Sequence, residues 1–287
     1  YIGKKYSNIV LSGGATKGLA TLGALQYIYD NNMIDQNHGL KFYGTSIGAI
    51  ISYLLIIGYR PVEIFVDLCT TQAMDNFSCV DLISLTQGSG GFEWSIINNF
   101  LEKLTLQKLG KYILMKDIKD IFKKSLNIAT YNLTKHKIEI ISSENPEHAE
   151  IPCLIALRMS SNVPLLFSQF KYFDCEYIDG GFSNNLPVNL VTDELNTLAV
   201  NTSIIREEKN DRTSDNKFRI HNYILRLFLE NQYVNVSNNI KFAEEKKNID
   251  LINLNTINYV TLKVTNSDAV NMFSDGYKDS QNFYCKN

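Results

Sequence analysis

Between Phe42 and Ile57 the chain reads FYGTSIGAIISYLLII, a short apolar stretch of strand character that continues as an apolar helix. The join is Gly44-Thr45-Ser46-Ile47-Gly48, a G-x-S-x-G. A strand that turns directly into a helix must bend sharply at one residue, and glycines two positions to either side let neighbouring backbone pass close by. The residue at the bend is held in a strained conformation with its hydroxyl pushed out of the fold. It also stands at a helix N-terminus, where free N–H groups and the helix dipole favour negative charge. Ser46 is therefore a candidate nucleophile. Five-residue matches of this kind are common, and taken alone this one favours a small-residue turn in which Ser46 only caps the helix.

A second strand–turn–helix unit precedes this one. Residues 6 to 12 read as a strand, Gly13-Gly14-Ala15-Thr16-Lys17-Gly18 as a glycine-rich turn, and Leu19 to about Asn31 as an apolar-periodic helix. Such a turn cradles anions, because its N–H groups are unencumbered and converge. A phosphate-binding loop needs Lys-Ser/Thr after its spaced glycine, and here Gly18 is followed by Leu19. Ala15 likewise interrupts the alternating glycines of a dinucleotide fingerprint. The readings left are an oxyanion hole, with donors aimed at the charge formed when a serine attacks an ester, and a tight turn with no ligand.

Further along, Lys116–Leu126 reads as a helix, Leu126–Asn132 and Lys137–Ser142 as a strand pair, and Leu198–Ile205 and Ile249–Leu254 as further strands. Glu176-Tyr177-Ile178 leads into Asp179-Gly180-Gly181. An aspartate at a strand end followed by two glycines can turn its carboxylate into a cleft, although Asp-Gly is also among the strongest turn signals. Thr86–Gly91 reads as a mobile loop followed by Phe92 and Trp94, aromatics expected to pack on a neighbouring helix rather than touch lipid. Arg206–Lys217 is charged and reads as a solvated loop. Phe218–Val234 is helical in period, with Ile220, Ile224, Leu227 and Phe228 expected to face the core, and Ser267–Phe283 reads as a closing helix. The alternation of strands and helices predicts an α/β sheet sandwiched by helices.

Composition narrows the function classes. A net charge of -2 with no basic stripe gives no electrostatic case for nucleic acid. The longest apolar run, Ile47–Ile57, is too short to span a bilayer. Five cysteines with no C-x-x-C pair and four scattered histidines argue against a disulfide scaffold or a metal site, so no cofactor is expected. No basic-apolar-small leader is visible, and the start at Tyr1 is read as a chain lacking some upstream residues.

Four blocks in order, strand–GGATKG–helix, GTSIG, SSNVPLLF and YIDGGFSNNLPV, resemble the patatin-like phospholipase family from Asn8 to about Leu190. The resemblance implies a three-layer α/β/α fold with a mostly parallel central sheet and a Ser–Asp dyad without histidine. Ser46 would be the nucleophile and Asp179 its base. The amides of Gly13, Gly14 and Ala15 would form the oxyanion hole, with Lys17 at the family's basic position and Gly18, Gly44, Gly48, Gly180 and Gly181 supporting the turns. The family has a third glycine where this chain has Ala15, and the alanine is expected to be tolerated as a simple N–H donor. The implied substrate is a phospholipid or other acyl lipid, cleaved without calcium; with no targeting signal visible, a cytoplasmic location in transient contact with a membrane surface is expected. One domain is expected over 1–287, its motif-bearing core at about 6–205 and the portion 206–287 packed on it. The rival readings are a lipid-binding protein of the same fold without turnover, and a Ser–Asp–His hydrolase using His221.

Overall fold

The computed structural model describes residues 3–35, 39–70, 93–202, 219–256 and 264–286. In chain order the elements are β1 (Asn8–Leu11), α1 (Gly18–Asp30), β2 (Lys41–Thr45), α2 (Ile47–Ile56), α3 (Pro61–Thr70), α4 (Ser95–Leu109) and α5 (Met115–Phe122). There follow β3 (Ser125–Asn132), β4 (Lys137–Ser142), α6 (Cys153–Ser161), β5 (Phe170–Tyr172), β6 (Cys175–Asp179) and a single helical turn, α7 (Gly181–Asn184). The series closes with β7 (Thr197–Asn201), α8 (Arg219–Glu244), β8 (Ile249–Asn253) and α9 (Asn266–Lys286). The expected loop at Thr86–Gly91, Phe92 and the charged segment Arg206–Lys217 lie outside the described residues.

The strands form one sheet in the order β5-β6-β3-β2-β1-β7-β8, with β4 also on β3. β8, β7, β1, β2 and β3 are mutually parallel, while β4, β5 and β6 pair antiparallel. The parallel strands are buried on both sides, as their near-continuous apolar sequence requires. Alternate residues serve opposite faces. Ile9, Leu11, Phe42, Leu198 and Val200 join one hydrophobic cluster, packed mainly by α1, α2, α4, α5 and α6. Val10, Tyr43 and Ala199 join a second, closed by α8 and the residues around Val188. The result is the expected α/β architecture with a mixed, mostly parallel sheet between helical layers.

α8 corrects one expectation. It runs on to Glu244, and of the four residues expected to face the core, Phe228 is buried while Ile224 and Leu227 are exposed; the side chain of Ile220 lies outside the described residues. The apolar contact is made further along by Val236, Ile240 and Ala243. Asn231, Asn235 and Asn239, spaced four apart on one face, hydrogen-bond instead to polar backbone between residues 181 and 186. The segment does have a helical period, but its inward stripe is partly polar and only half-buried at Asn235 and Asn239, because backbone carbonyls need donors there.

α9 crosses α1 at glycine. A Cβ on Gly276 would lie 1.9 Å from the carbonyl oxygen of Ala20, and one on Gly23 would lie 1.9 Å from that of Phe273. Backbone therefore meets backbone, and Tyr27 fixes the crossing by edge and stacked contacts with Tyr277 and Tyr284. Overpacking of this kind costs about 1–3 kcal/mol. Gly276→Ala is expected to destabilise by about 2 kcal/mol, read as a lower midpoint of urea unfolding with an unchanged slope. An unchanged midpoint would show that the two helices separate freely.

Candidate active site

Three strand ends converge. β2 ends at Thr45, paired with Ala129 of β3, and Ser46 follows. β6 runs the other way along the same edge of β3 and ends at Asp179, paired with Thr130. Neighbouring residues of one strand thus bring the serine turn and the aspartate to the same point. β1 lies parallel to β2 with Leu11 opposite Gly44, so the glycine turn after β1 rises beside Ser46. The site lies where the parallel strands end, as ligand sites in open α/β sheets do.

Ser46 has φ 54° and ψ -125°, a strained conformation for a side chain with a Cβ. The glycines around it make the turn possible. A Cβ on Gly44 would lie 2.6 Å from the backbone of Ala49, and one on Gly48 2.4 Å from the carbonyl oxygen of Leu11. The Ser46 N–H donates to Ser160 Oγ at 2.9 Å, and the Ser160 hydroxyl donates to the Ala129 carbonyl at 2.6 Å. Ser160, on α6, therefore pins the strained residue to the sheet.

Asp179 is 2% exposed. Its Oδ1 accepts from the Gly181 N–H at 2.6 Å, while Oδ2 is buried and makes no hydrogen bond of regular geometry among the described residues. Burial pushes the carboxyl up from 3.8 to about 6, against the downward pull of the Ser46 hydroxyl and the Gly181 N–H. Gly180 is required because a Cβ there would lie 2.1 Å from the Ala129 carbonyl oxygen.

The glycine turn departs from expectation twice. The Gly13 N–H donates to the Asn185 carbonyl at 3.0 Å, so it is not available to an oxyanion. The N–H groups of Gly14 and Ala15 have no acceptor among the described residues. Ala15 lies at φ 49°, so its replacement of glycine is strained rather than mild, at a cost of about 1–2 kcal/mol. The turn is braced by Thr202 Oγ1, which donates to the Gly13 carbonyl at 3.1 Å, and by Asn185 Nδ2, which donates to it at 3.3 Å. Lys17 has no ion-pair partner among the described residues, and burial lowers its pKa to about 8.

A cavity of about 150 Å³ adjoins Ser46. Ala15, Thr16 and Ser161 contribute to its wall, which is otherwise apolar, including Leu22, Ile51, Leu54, Ile64 and Phe100. Trp94 packs as expected, against Phe167 at 5.3 Å and over the Arg158 guanidinium at 4.5 Å. The side chain of His221 lies outside the described residues. Among the described residues no group of three or more His, Cys, Asp or Glu side chains is arranged to hold a metal ion, and no single helix is long and apolar enough to cross a membrane.

Ser160 and Asn185 were not singled out from the sequence. Both stand inside the quoted blocks SSNVPLLF and YIDGGFSNNLPV, and the four-block spacing was the one signal that could have directed attention to them.

A family model for patatin-like phospholipases matches residues 9–192. A probable lipid hydrolase, 463L, of Invertebrate iridescent virus 6 is 35% identical over 193 residues, 65% of this chain and 63% of that protein. Protein R571 of Acanthamoeba polyphaga mimivirus, of uncharacterized role, is 31% identical over 224 residues, 75% of this chain and 71% of its own. Among solved structures, VipD from Legionella pneumophila superposes with a TM-score of 0.54 at 15% identity, over 98% of this chain and 67% of VipD. That likeness concerns the fold.

The buried carboxyl makes a stability prediction. Above pH 6 the folded chain holds an ionised carboxylate that water would solvate better, a penalty of about 3 kcal/mol for a rise of this size. As pH falls from about 6 to about 4, the folded chain takes up the proton first and the penalty disappears. Asp179→Asn should therefore raise the thermal midpoint at pH 8, with the gain shrinking between pH 6 and pH 4. Equal midpoints throughout would mean that burial does not strain the carboxylate.

Proposed function

The chain belongs to the patatin-like phospholipase family, and we propose that it hydrolyses fatty acyl esters of phospholipids or related lipids through Ser46 and Asp179. The observation that carries the reading is the meeting of a strained serine with a buried aspartate whose carboxyl is poised near pH 6. An ordinary aspartate, with a pKa of about 3.9, is a poor base toward an alcohol. Burial improves it without a histidine, and brings it closer to working pH.

In the proposed mechanism Ser46 Oγ attacks the ester carbonyl carbon as its proton passes to Asp179. The N–H groups of Gly14 and Ala15 hold the oxyanion, and the positive charge of Lys17 nearby favours the negative charge that forms there. Collapse expels the alcohol, which takes the proton from Asp179 and leaves an acyl-enzyme. Water then attacks the acyl carbonyl while Asp179 takes its proton, and the fatty acid departs as Ser46 regains a proton. The apolar cavity accepts part of the acyl chain, which supports a lipid rather than a small polar ester. Backbone amides hold the oxyanion, so the reaction is proposed to need no calcium. It would be carried out in transient contact with a membrane surface.

The positive φ of Ala15 favours one second reading, a protein that binds lipid but turns it over poorly because the oxyanion turn is misshapen. The deciding assay is release of fatty acid from phospholipid vesicles in chelator. Wild type should release it, and Ser46→Ala and Asp179→Ala should each lower kcat by at least about 10,000-fold, the scale seen when triad members are removed. kcat/KM should fall about tenfold per pH unit below pH 6, as Asp179 takes up its proton. Vesicle binding without release, with release gained in Ala15→Gly, would favour the second reading.

A further inference from the structure

We propose that Asn235, on α8 and outside the stretch matched by the family, is a positioning residue that sets the glycine turn through Asn185. Its Oδ1 accepts from the Asn185 N–H at 3.1 Å. Its Nδ2 donates to the carbonyls of Gly181 and Phe182, each at 3.3 Å, and to that of Asn231 at 3.1 Å. Backbone donors and acceptors have only one sense, so the amide can face only one way. One side chain thereby fixes both ends of the loop that leaves Asp179 and reaches Asn185.

Asn185 passes that position to the turn by two hydrogen bonds. Its carbonyl accepts from the Gly13 N–H at 3.0 Å, and its Nδ2 donates to the Gly13 carbonyl at 3.3 Å. Gly13 is tight against both partners. A Cβ there would lie 2.3 Å from Asn185 Oδ1 and 3.2 Å from Ser46 Cβ, so a shift of Asn185 moves Gly13 and the two free N–H groups that follow it. Asn185 is 1% exposed and cannot be replaced by water without rearrangement. Asn231 and Asn239 hold the same loop from neighbouring turns of α8, through the Phe182 carbonyl and through Asn184 Oδ1 and the Leu186 carbonyl. Of these three asparagines, Asn235 is the one that hydrogen-bonds the residue touching Gly13.

The proposal rests on the hydrolase reading above. A small misplacement of oxyanion donors weakens the transition state and leaves the bound ester alone, because the charge they serve does not yet exist in the ground state. Asn235→Ala is therefore expected to lower kcat by about 10- to 100-fold with KM nearly unchanged. Two probes separate this from general loosening. A long-chain trifluoromethyl ketone, to which Ser46 adds to give an oxyanion, should lose affinity in parallel with kcat/KM. An ether-linked phospholipid, which forms no oxyanion, should keep its affinity. Asn235→Gln keeps both polar groups but carries them one methylene further, and it should show a smaller loss of the same pattern even if the alanine variant does not fold.

Unchanged kcat in both variants, or equal loss of affinity for the ketone and the ether lipid, would overturn the role of Asn235 while wild-type activity stands. A wild type that neither releases fatty acid nor binds the ketone through Ser46 would overturn the hydrolase reading and this proposal with it.

Discussion

The site depends on the register of β3. Its Ala129 pairs with Thr45 and its Thr130 with Asp179, so a parallel and an antiparallel strand terminate against consecutive residues of one neighbour. Consecutive residues of a strand are about 3.3 Å apart, which sets the scale on which Ser46 and Asp179 meet. Everything else follows from holding that junction. Ser160 ties the serine to the Ala129 carbonyl, and Gly180 lets its own chain pass the same carbonyl. A slip of one residue would turn every side chain of the displaced strand to the other face, and the two apolar layers on either side of the sheet oppose it.

Several unfavourable local states are gathered here. Two residues with a Cβ, Ala15 and Ser46, lie at positive φ, and a carboxylate is buried with one oxygen lacking a regular partner. Each is of the order of 1–3 kcal/mol. Such states persist only where the surroundings over-determine them, and the hydrophobic clusters on both faces of the sheet do so. The strain of Ser46 presents its hydroxyl, and the burial of Asp179 raises its proton affinity. In both cases the unfavourable term produces the chemical property.

The strand–turn–helix units were legible because each is written in adjacent residues: apolar period, small-residue turn, apolar period. The span of β4 was read residue for residue, since its alternation is local. Asp179 was less legible, for Asp-Gly announces a turn wherever it occurs, and only the order of the four blocks distinguished it. The commitment of the Gly13 N–H to Asn185 was not legible, because that partner is remote in sequence and uses its backbone. Nor was the polar stripe of α8, since in an asparagine-rich chain a spacing of four does not stand out. What a helix buries depends on what it is packed against, and period alone does not carry that information.

The glycine crossing of α1 and α9 has a consequence in time. Gly23 and Gly276 are separated by more than 250 residues, yet each fits against the other helix's backbone. Contacts this remote add to the delay of folding. At about 5–20 residues per second, a nascent α1 waits on the order of 10 to 50 s for the helix that covers it. Throughout that interval its outer stripe, including Tyr27, faces solvent or whatever chaperone the ribosome recruits. The helix that carries the glycine turn is thus made long before the helix that encloses it.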